Sequence, residues 1–249
     1  LVELHERRNV LDDLSAAVDE LIAAHPDSRY VPIALIKKCE VQMLSADNAG
    51  AKATAAQLGE LVETNGLAQR WQFEHRLLEL LSDASKTGET LERELQKLSS
   101  DAAVYPTVAN RADVGTGESL LARGEFDEAE KTFRAVTESP NASDRTLASA
   151  WTGLGDCLYR RAETKATGGD TEGAKEIYAE AQEAFMRVVV LYKNQLAFVP
   201  KSAFYAGRCI QEIGGENAKD QSDRLFNFVT RNFRGSRWAD SARQFKRRN

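Results

Sequence analysis

Side chains able to do chemistry are sparse in this sequence and poorly spaced for it. His5, His25 and His75 are scattered through the first third of the chain, and none has Cys, Asp or Glu at a recurring metal-ligand spacing. Cys39, Cys157 and Cys209 are an odd number, far apart and without a C-x-x-C pair. They therefore imply neither a disulfide framework nor a zinc knuckle. Gly115-Thr116-Gly117-Glu118 has the look of a phosphate loop but lacks a third glycine and a preceding strand. There is no Gly-x-Ser-x-Gly elbow. The 38 acidic residues are interleaved with 33 Lys and Arg, a pattern of solvated helix faces and i,i+4 pairs. The expectation is a chain with no catalytic residue, no metal and no cofactor.

The bulk numbers set the class. The chain has 249 residues, 42% hydrophobic and 29% charged, enough to bury a sizeable core. A net charge of −5 disfavours a general nucleic-acid binder, which needs clustered Lys and Arg to neutralise phosphates. No apolar run approaches the roughly 20 residues that cross a bilayer; the longest, Phe185 to Tyr192, is broken by Arg187. A soluble protein is expected. The sequence opens at Leu1 without a Met or a charged-then-apolar leader, which predicts a trimmed, mature or partial chain. An anchor, signal or further domain would then lie outside it.

The elements that must position any functional side chain are helices. Ala174, Ile177, Tyr178, Ala181, Phe185, Val188 and Tyr192 recur at steps of three and four, one face of a helix. Pro26, Pro140 and Pro200 stand where one helical pattern stops and the next begins. The fold class is predicted to be all-α. Self-similarity then suggests an architecture. Trp151-x-x-Leu154-Gly155-x-x-Leu158 is echoed by Ala203-x-x-Ala206-Gly207-x-x-Ile210 and by Asp113-x-x-Thr116-Gly117-x-x-Leu120. Each is followed by a small, large, apolar triad: Ala129, Phe133, Val136; Ala181, Phe185, Val188; Ser222, Phe226, Val229. The glycine lets a partner helix approach, and the aromatic fills the space between hairpins. Cys157 and Cys209 each follow the glycine by two residues, with Cys39 a degenerate third instance, so all three read as packing sites. Trp151 is expected in the core, with Trp71 and Trp238 packing at helix starts.

These motifs resemble the tetratricopeptide repeat superfamily. The Pro-x-Ser junctions, Pro26-Asp27-Ser28 and Pro200-Lys201-Ser202, and the long helices resemble its bacterial cell-envelope branch. That branch includes the β-barrel assembly lipoprotein and the Tol–Pal coordinator. The match runs from about Val108 to the end, so residues 107–249 are expected to form such repeats and 1–106 degenerate helical repeats continuous with them. In the first part, Leu11 to Pro26 reads as a second helix and Ile33 to Ser45 as a first helix. One hairpin, 151–192, departs from the family length: its turn glycines, Gly168 and Gly169, come about seven residues late. Matched lengthening of both arms predicts a projecting hairpin, by about 10 Å, with a polar tip at Arg160 to Lys175.

The resemblance implies an α-α superhelix whose first helices line a concave groove. Carried over residue by residue, the family's groove positions fall on Arg111 and Glu118, on Asp156, Tyr159 and Arg160, and on Phe204, Arg208 and Gln211. Charge, amide and aromatic character together suit an extended peptide. The implied function is a non-enzymatic scaffold for protein or peptide partners, in a bacterial periplasm or at the outer-membrane periphery. It would have no transmembrane segment, and any peripheral membrane attachment would come through parts beyond this sequence. The competing reading is the helical region of a larger enzyme or sensor; RNA binding is disfavoured by charge. From Arg231 onward the sign reverses, with seven basic residues against Asp240 alone. Ser236 to Arg248 reads as the opening helix of a further hairpin, which would leave Trp238, Ala242 and Phe245 exposed.

Overall fold

The computed structural model describes residues 11–248; His5 lies outside them. Every regular element among the described residues is a helix, and there are twelve. In order these are α1 (Leu11–Ala24), α2 (Val31–Leu44), α3 (Asn48–Thr64), α4 (Gln69–Ser82), α5 (Gly88–Asp101), α6 (Pro106–Arg123), α7 (Phe126–Thr137), α8 (Asp144–Thr167), α9 (Thr171–Leu191), α10 (Val199–Ile213), α11 (Ala218–Asn232) and α12 (Arg237–Arg248). Prolines act as starters: Pro32 and Pro200 occupy the first turn of α2 and α10, and Pro106 opens α6. There the missing N–H costs nothing, because the first turn has no intrahelical acceptor. Asp47, Ser143 and Asp170 cap α3, α8 and α9 by accepting from the backbone N–H three residues on.

Within each unit neighbouring helices pack on one another, and some also touch the helix two places along: α2 with α4, α8 with α10, α10 with α12. The chain divides into two compact units, up to Ser119 and from Leu120, the division falling inside α6. In the first unit, Leu14, Val18, Leu35, Cys39, Ala51, Leu58 and Leu78 form one apolar cluster across α1 to α4. Leu77, Leu80, Leu95, Leu98, Val108 and Ala112 form a second across α4 to α6. Thr54 donates to Gln42 at 2.8 Å, so the buried polar pair between α2 and α3 satisfies itself.

The second unit is built on close approaches between a glycine and a phenyl ring. A Cβ at Gly155 would stand 2.6 Å from Cε1 of Phe185, and one at Gly207 2.7 Å from Cε1 of Phe226. Gly153 takes the ring of Phe133 in the same way. The three second-helix triads read from the sequence are all buried, and Phe133, Phe185 and Phe226 are wholly inaccessible. Thus α8 receives a ring from the helix before it and one from the helix after it.

α8 and α9, at 24 and 21 residues, are the longest helices described. Ala162 and Ala174 are the buried residues of their outer turns, the rest being exposed or half-buried. Gly169, at φ +93°, makes the turn between them, where a side chain would be strained. Lys165 pairs with Asp170 at 3.1 Å across that turn. The last helix departs from expectation. α12 lays Ala239 and Ala242 fully buried on the unit, with Trp238 and Phe245 half-buried against α10 and α11. Its apolar face is thus largely covered, because Phe204 and Phe226 offer it a complementary apolar wall; its outer face is charged.

A methyl group at Gly155 tests the close approach. Helix propensity favours Ala over Gly by about 1 kcal/mol, whereas forcing a methyl into a filled core costs about 1–3 kcal/mol. Gly155→Ala is expected to lower stability on balance, read as a fall in the urea midpoint, and Phe185→Leu in the same chain to recover part of it. An unchanged or raised midpoint for the single variant would contradict the packing.

Candidate partner-binding surface

The residues to which the groove positions carry over fall in different surroundings. On α8, Asp156, Tyr159, Arg160 and Glu163 follow one another at helical steps, and on α10 Lys201, Phe204, Arg208, Gln211 and Glu212 do the same. The two stripes are joined by an ion pair between Lys201 and Asp156. Burial pushes the Asp156 carboxyl above its ordinary range, and Lys201, Arg160 and Arg237 pull it back. Below this pair, the hydroxyls of Thr152 and Ser202 meet at 3.2 Å, also bridging α8 and α10.

Above it lies an aromatic cluster that takes rings from α8, α9, α10, α11 and α12. Tyr159 meets Tyr178 edge-on at 5.3 Å and Tyr205 at 5.0 Å. Tyr205 stacks on Phe185 at 5.6 Å and meets Trp238 edge-on at the same distance. Phe204 contacts Phe226, Trp238 and Phe245. Cations sit on the outer rings: the Arg237 guanidinium is 4.5 Å from the Trp238 ring, Arg208 is 4.4 Å from Phe245, and the Lys201 ammonium is 5.9 Å from Trp238. Such contacts contribute about 0.5–2 kcal/mol each, depending on desolvation.

This corrects two of the sequence expectations. Tyr159 and Phe204 are 2% and 5% exposed and do not offer their rings to solvent; the aromatic neighbours from α9, α11 and α12 enclose them. Rings that remain half-exposed are Tyr205, Trp238 and Phe245. Arg160 is exposed and pairs with Glu163 at 3.0 Å. Gln211 donates to the Ser222 hydroxyl at 3.0 Å, tying α10 to α11. Arg208 lies 3.6 Å from Glu212.

Arg111 and Glu118 belong to the first unit. Glu118 is exposed. Arg111, on α6, is enclosed between two carboxylates, Glu40 of α2 at 2.7 Å and Glu74 of α4. Only 14% of the Arg111 side chain and 2% of that of Glu74 is accessible. Burial works against the guanidinium charge, and Glu40 and Glu74 overcome it, so its pKa ends up raised. Arg111 thus clamps three helices that alternate along the chain. Sequence reasoning singled out Arg111 without its two partners. Glu40 and Glu74 stand thirty-four residues apart, the tetratricopeptide period, and that spacing was the available signal. Tyr205 and Trp238 carried no such mark, because their neighbours are distant in sequence.

Among the described residues, no cluster of three or more His, Cys, Asp or Glu is arranged to hold a metal. No helix there is long and apolar enough to cross a membrane. The three thiols are buried, and burial pushes Cys39 and Cys157 up to about 12 and raises Cys209 as well. Comparison with protein-family models, curated proteins and solved structures finds no match to this chain.

Two measurements probe this arrangement. Arg111→Met leaves two carboxylates facing each other without their cation, which is expected to cost about 3–5 kcal/mol; adding Glu40→Gln and Glu74→Gln should recover most of it in urea unfolding. Equal stability of wild type and the single variant would rule out the clamp. With thiols held protonated near pH 8, an aromatic disulfide reagent is expected to label none of the three cysteines in the folded protein and all three in guanidinium. Fast labelling of native protein would show that at least one is reactive.

Proposed function

We propose that this chain is a tetratricopeptide-type helical-repeat scaffold that binds an extended segment of a partner protein along its first helices, and that it is not an enzyme. Within each unit, packing of neighbouring helices, with contacts two places along between α2 and α4, α8 and α10, and α10 and α12, supports stacked hairpins. The glycine-to-phenyl approaches support the repeat register. The observation that carries the binding reading is the outer layer of the aromatic cluster. Tyr205, Trp238 and Phe245 remain half-exposed on alternate helices α10 and α12, with Arg208, Lys201 and Arg237 laid over the last two rings. Trp, Tyr and Arg in a preorganised, partly desolvated array are the residue types that dominate protein–protein binding energy.

Arg160, exposed at the edge of the α8 stripe, supplies a further cation for the acidic or amide groups of a partner. The Pro-x-Ser junctions and long hairpins support a setting in a bacterial cell envelope, at the periplasmic side or outer-membrane periphery.

The reading is tested with the protein as bait in its source cells. Charge reversal at two exposed positions, Arg160→Glu with Arg237→Glu, is expected to weaken capture of the principal partner at least tenfold at unchanged helicity. Lys165→Glu with Lys175→Glu, at the tip of the α8–α9 hairpin, is expected to leave it bound. Retention of every partner by the first pair would overturn the assignment of this surface.

A further inference from the structure

The charges of the second unit are sorted by end. No Asp or Glu occurs between Glu183 and Glu212, nor between Asp223 and Asp240. These two acid-free stretches contain the α9–α10 and α11–α12 junctions. Packing brings the junctions together: Trp151 of α8, Tyr192, Phe198, Phe228 and Phe233 gather around Val188 and Val199 in one cluster. The start of α8, the end of α9, the start of α10 and the end of α11 therefore meet at one end of the unit, with α12 beginning beside them. The opposite end, at the α8–α9 and α10–α11 turns, holds Glu163, Asp170, Glu172, Glu212, Glu216 and Asp220.

Two further properties mark the acid-free end. Val190 and Leu191 close α9 at 60% and 63% exposure, and among the described residues of this unit they are the only large apolar side chains so exposed. Tyr192, Leu196, Phe198 and Phe233 are half-exposed at the same end. Lys193, Arg231 and Arg234 are exposed there and meet no carboxylate among the described residues. At the opposite end, by contrast, Lys165 and Lys175 are paired with Asp170 and Glu172. The carboxylates bordering the acid-free end are offset: Asp240 pairs with Arg243 at 2.5 Å, and Asp144 has Arg145 next to it in the chain.

We propose that this end of the second unit is a contact for the surface of an anionic lipid bilayer. Val190 and Leu191 enter the headgroup boundary, and Lys193, Arg231 and Arg234 lie against lipid phosphates. Free cations are drawn to an anionic leaflet by its surface potential, each adding to the attraction. Aromatic rings with one polar edge, such as Tyr192, settle at headgroup level. Apolar side chains beside them gain by leaving water for the acyl boundary, and the two contributions together set the strength of such binding. A bilayer answers the cations and the adjoining apolar side chains at once, whereas a soluble acidic segment answers the cations alone. The inference is separate from the peptide-binding reading, whose residues it does not use.

The test is co-sedimentation of the full chain with vesicles of phosphatidylglycerol and phosphatidylcholine in equal parts, and with vesicles of phosphatidylcholine alone. The chain is expected to bind the first and stay in solution with the second. Arg231→Gln with Arg234→Gln should lower the partition coefficient on the order of tenfold, and Leu191→Ser about threefold. Lys165→Gln with Lys175→Gln, at the opposite end, should leave it unchanged; circular dichroism checks that every variant keeps its helicity. No binding to the anionic vesicles, equal binding to both kinds, or full binding by the double arginine variant would overturn the proposal. Displacement by polyglutamate with Leu191→Ser binding as wild type would also overturn it, and would assign this end to an acidic protein. Because Arg160 and Arg237 are untouched, loss of the lipid contact leaves the partner surface standing, and the reverse holds as well.

Discussion

In the second unit, packing depends on the absence of three side chains. Gly153, Gly155 and Gly207 leave room on α8 and α10 for the rings of Phe133, Phe185 and Phe226 to lie against helix backbone. A phenyl ring buried in this way removes a large apolar area from water, and the short separation brings the flanking residues of both helices into contact. α8 accepts rings from both sides through Gly153 and Gly155, two positions apart, which fixes its rotation about its own axis. Once that rotation is set, Asp156, Tyr159 and Arg160 must point to the side where Lys201 and Arg208 of α10 stand. The close approaches therefore decide which polar groups can meet.

Those polar groups mostly meet each other. Lys201 reaches Asp156, Gln211 reaches Ser222, and Arg111 in the first unit is taken up by Glu40 and Glu74. The Lys201 and Arg111 contacts span helices that are not consecutive, and Gln211 ties α10 to the next helix. Because the charges are partly or wholly withdrawn from water, each pair is needed to offset the desolvation of its own members. The net gain in stability from such pairs is small, while the loss on breaking one is large. They act as register pins between helices. The Tyr159 hydroxyl and the Arg208 Nε–H are exceptions in the second unit, buried without a hydrogen-bond partner.

The long α8–α9 hairpin follows another logic. Its base is held by the Phe185 contact and by the aromatic cluster, whereas its outer turns bury only Ala162 and Ala174. Capping by Asp170, the Gly169 turn and the Lys165–Asp170 pair maintain the tip. Of these, the turn glycine was legible from residue types alone.

Helical periodicity, the Pro200 start of α10, the close approaches at Gly155 and Gly207 and the three buried small–Phe–Val triads were determined by the sequence itself, because each depends on residues within one turn or one hairpin of each other. The fate of the candidate surface was settled only by tertiary structure. Tyr159 and Phe204 look outward on a helical wheel, yet rings from α9, α11 and α12 close over them. Trp238, Ala242 and Phe245 look unpartnered in a terminal helix, yet the wall offered by Phe204 and Phe226 buries Ala242 and leaves Trp238 and Phe245 half-buried. Arg111 reads as an available cation, yet carboxylates 71 and 37 positions earlier in the chain enclose it. Burial and pairing are sums over neighbours brought together by packing, and a periodic pattern specifies which face turns inward without specifying what arrives to meet it.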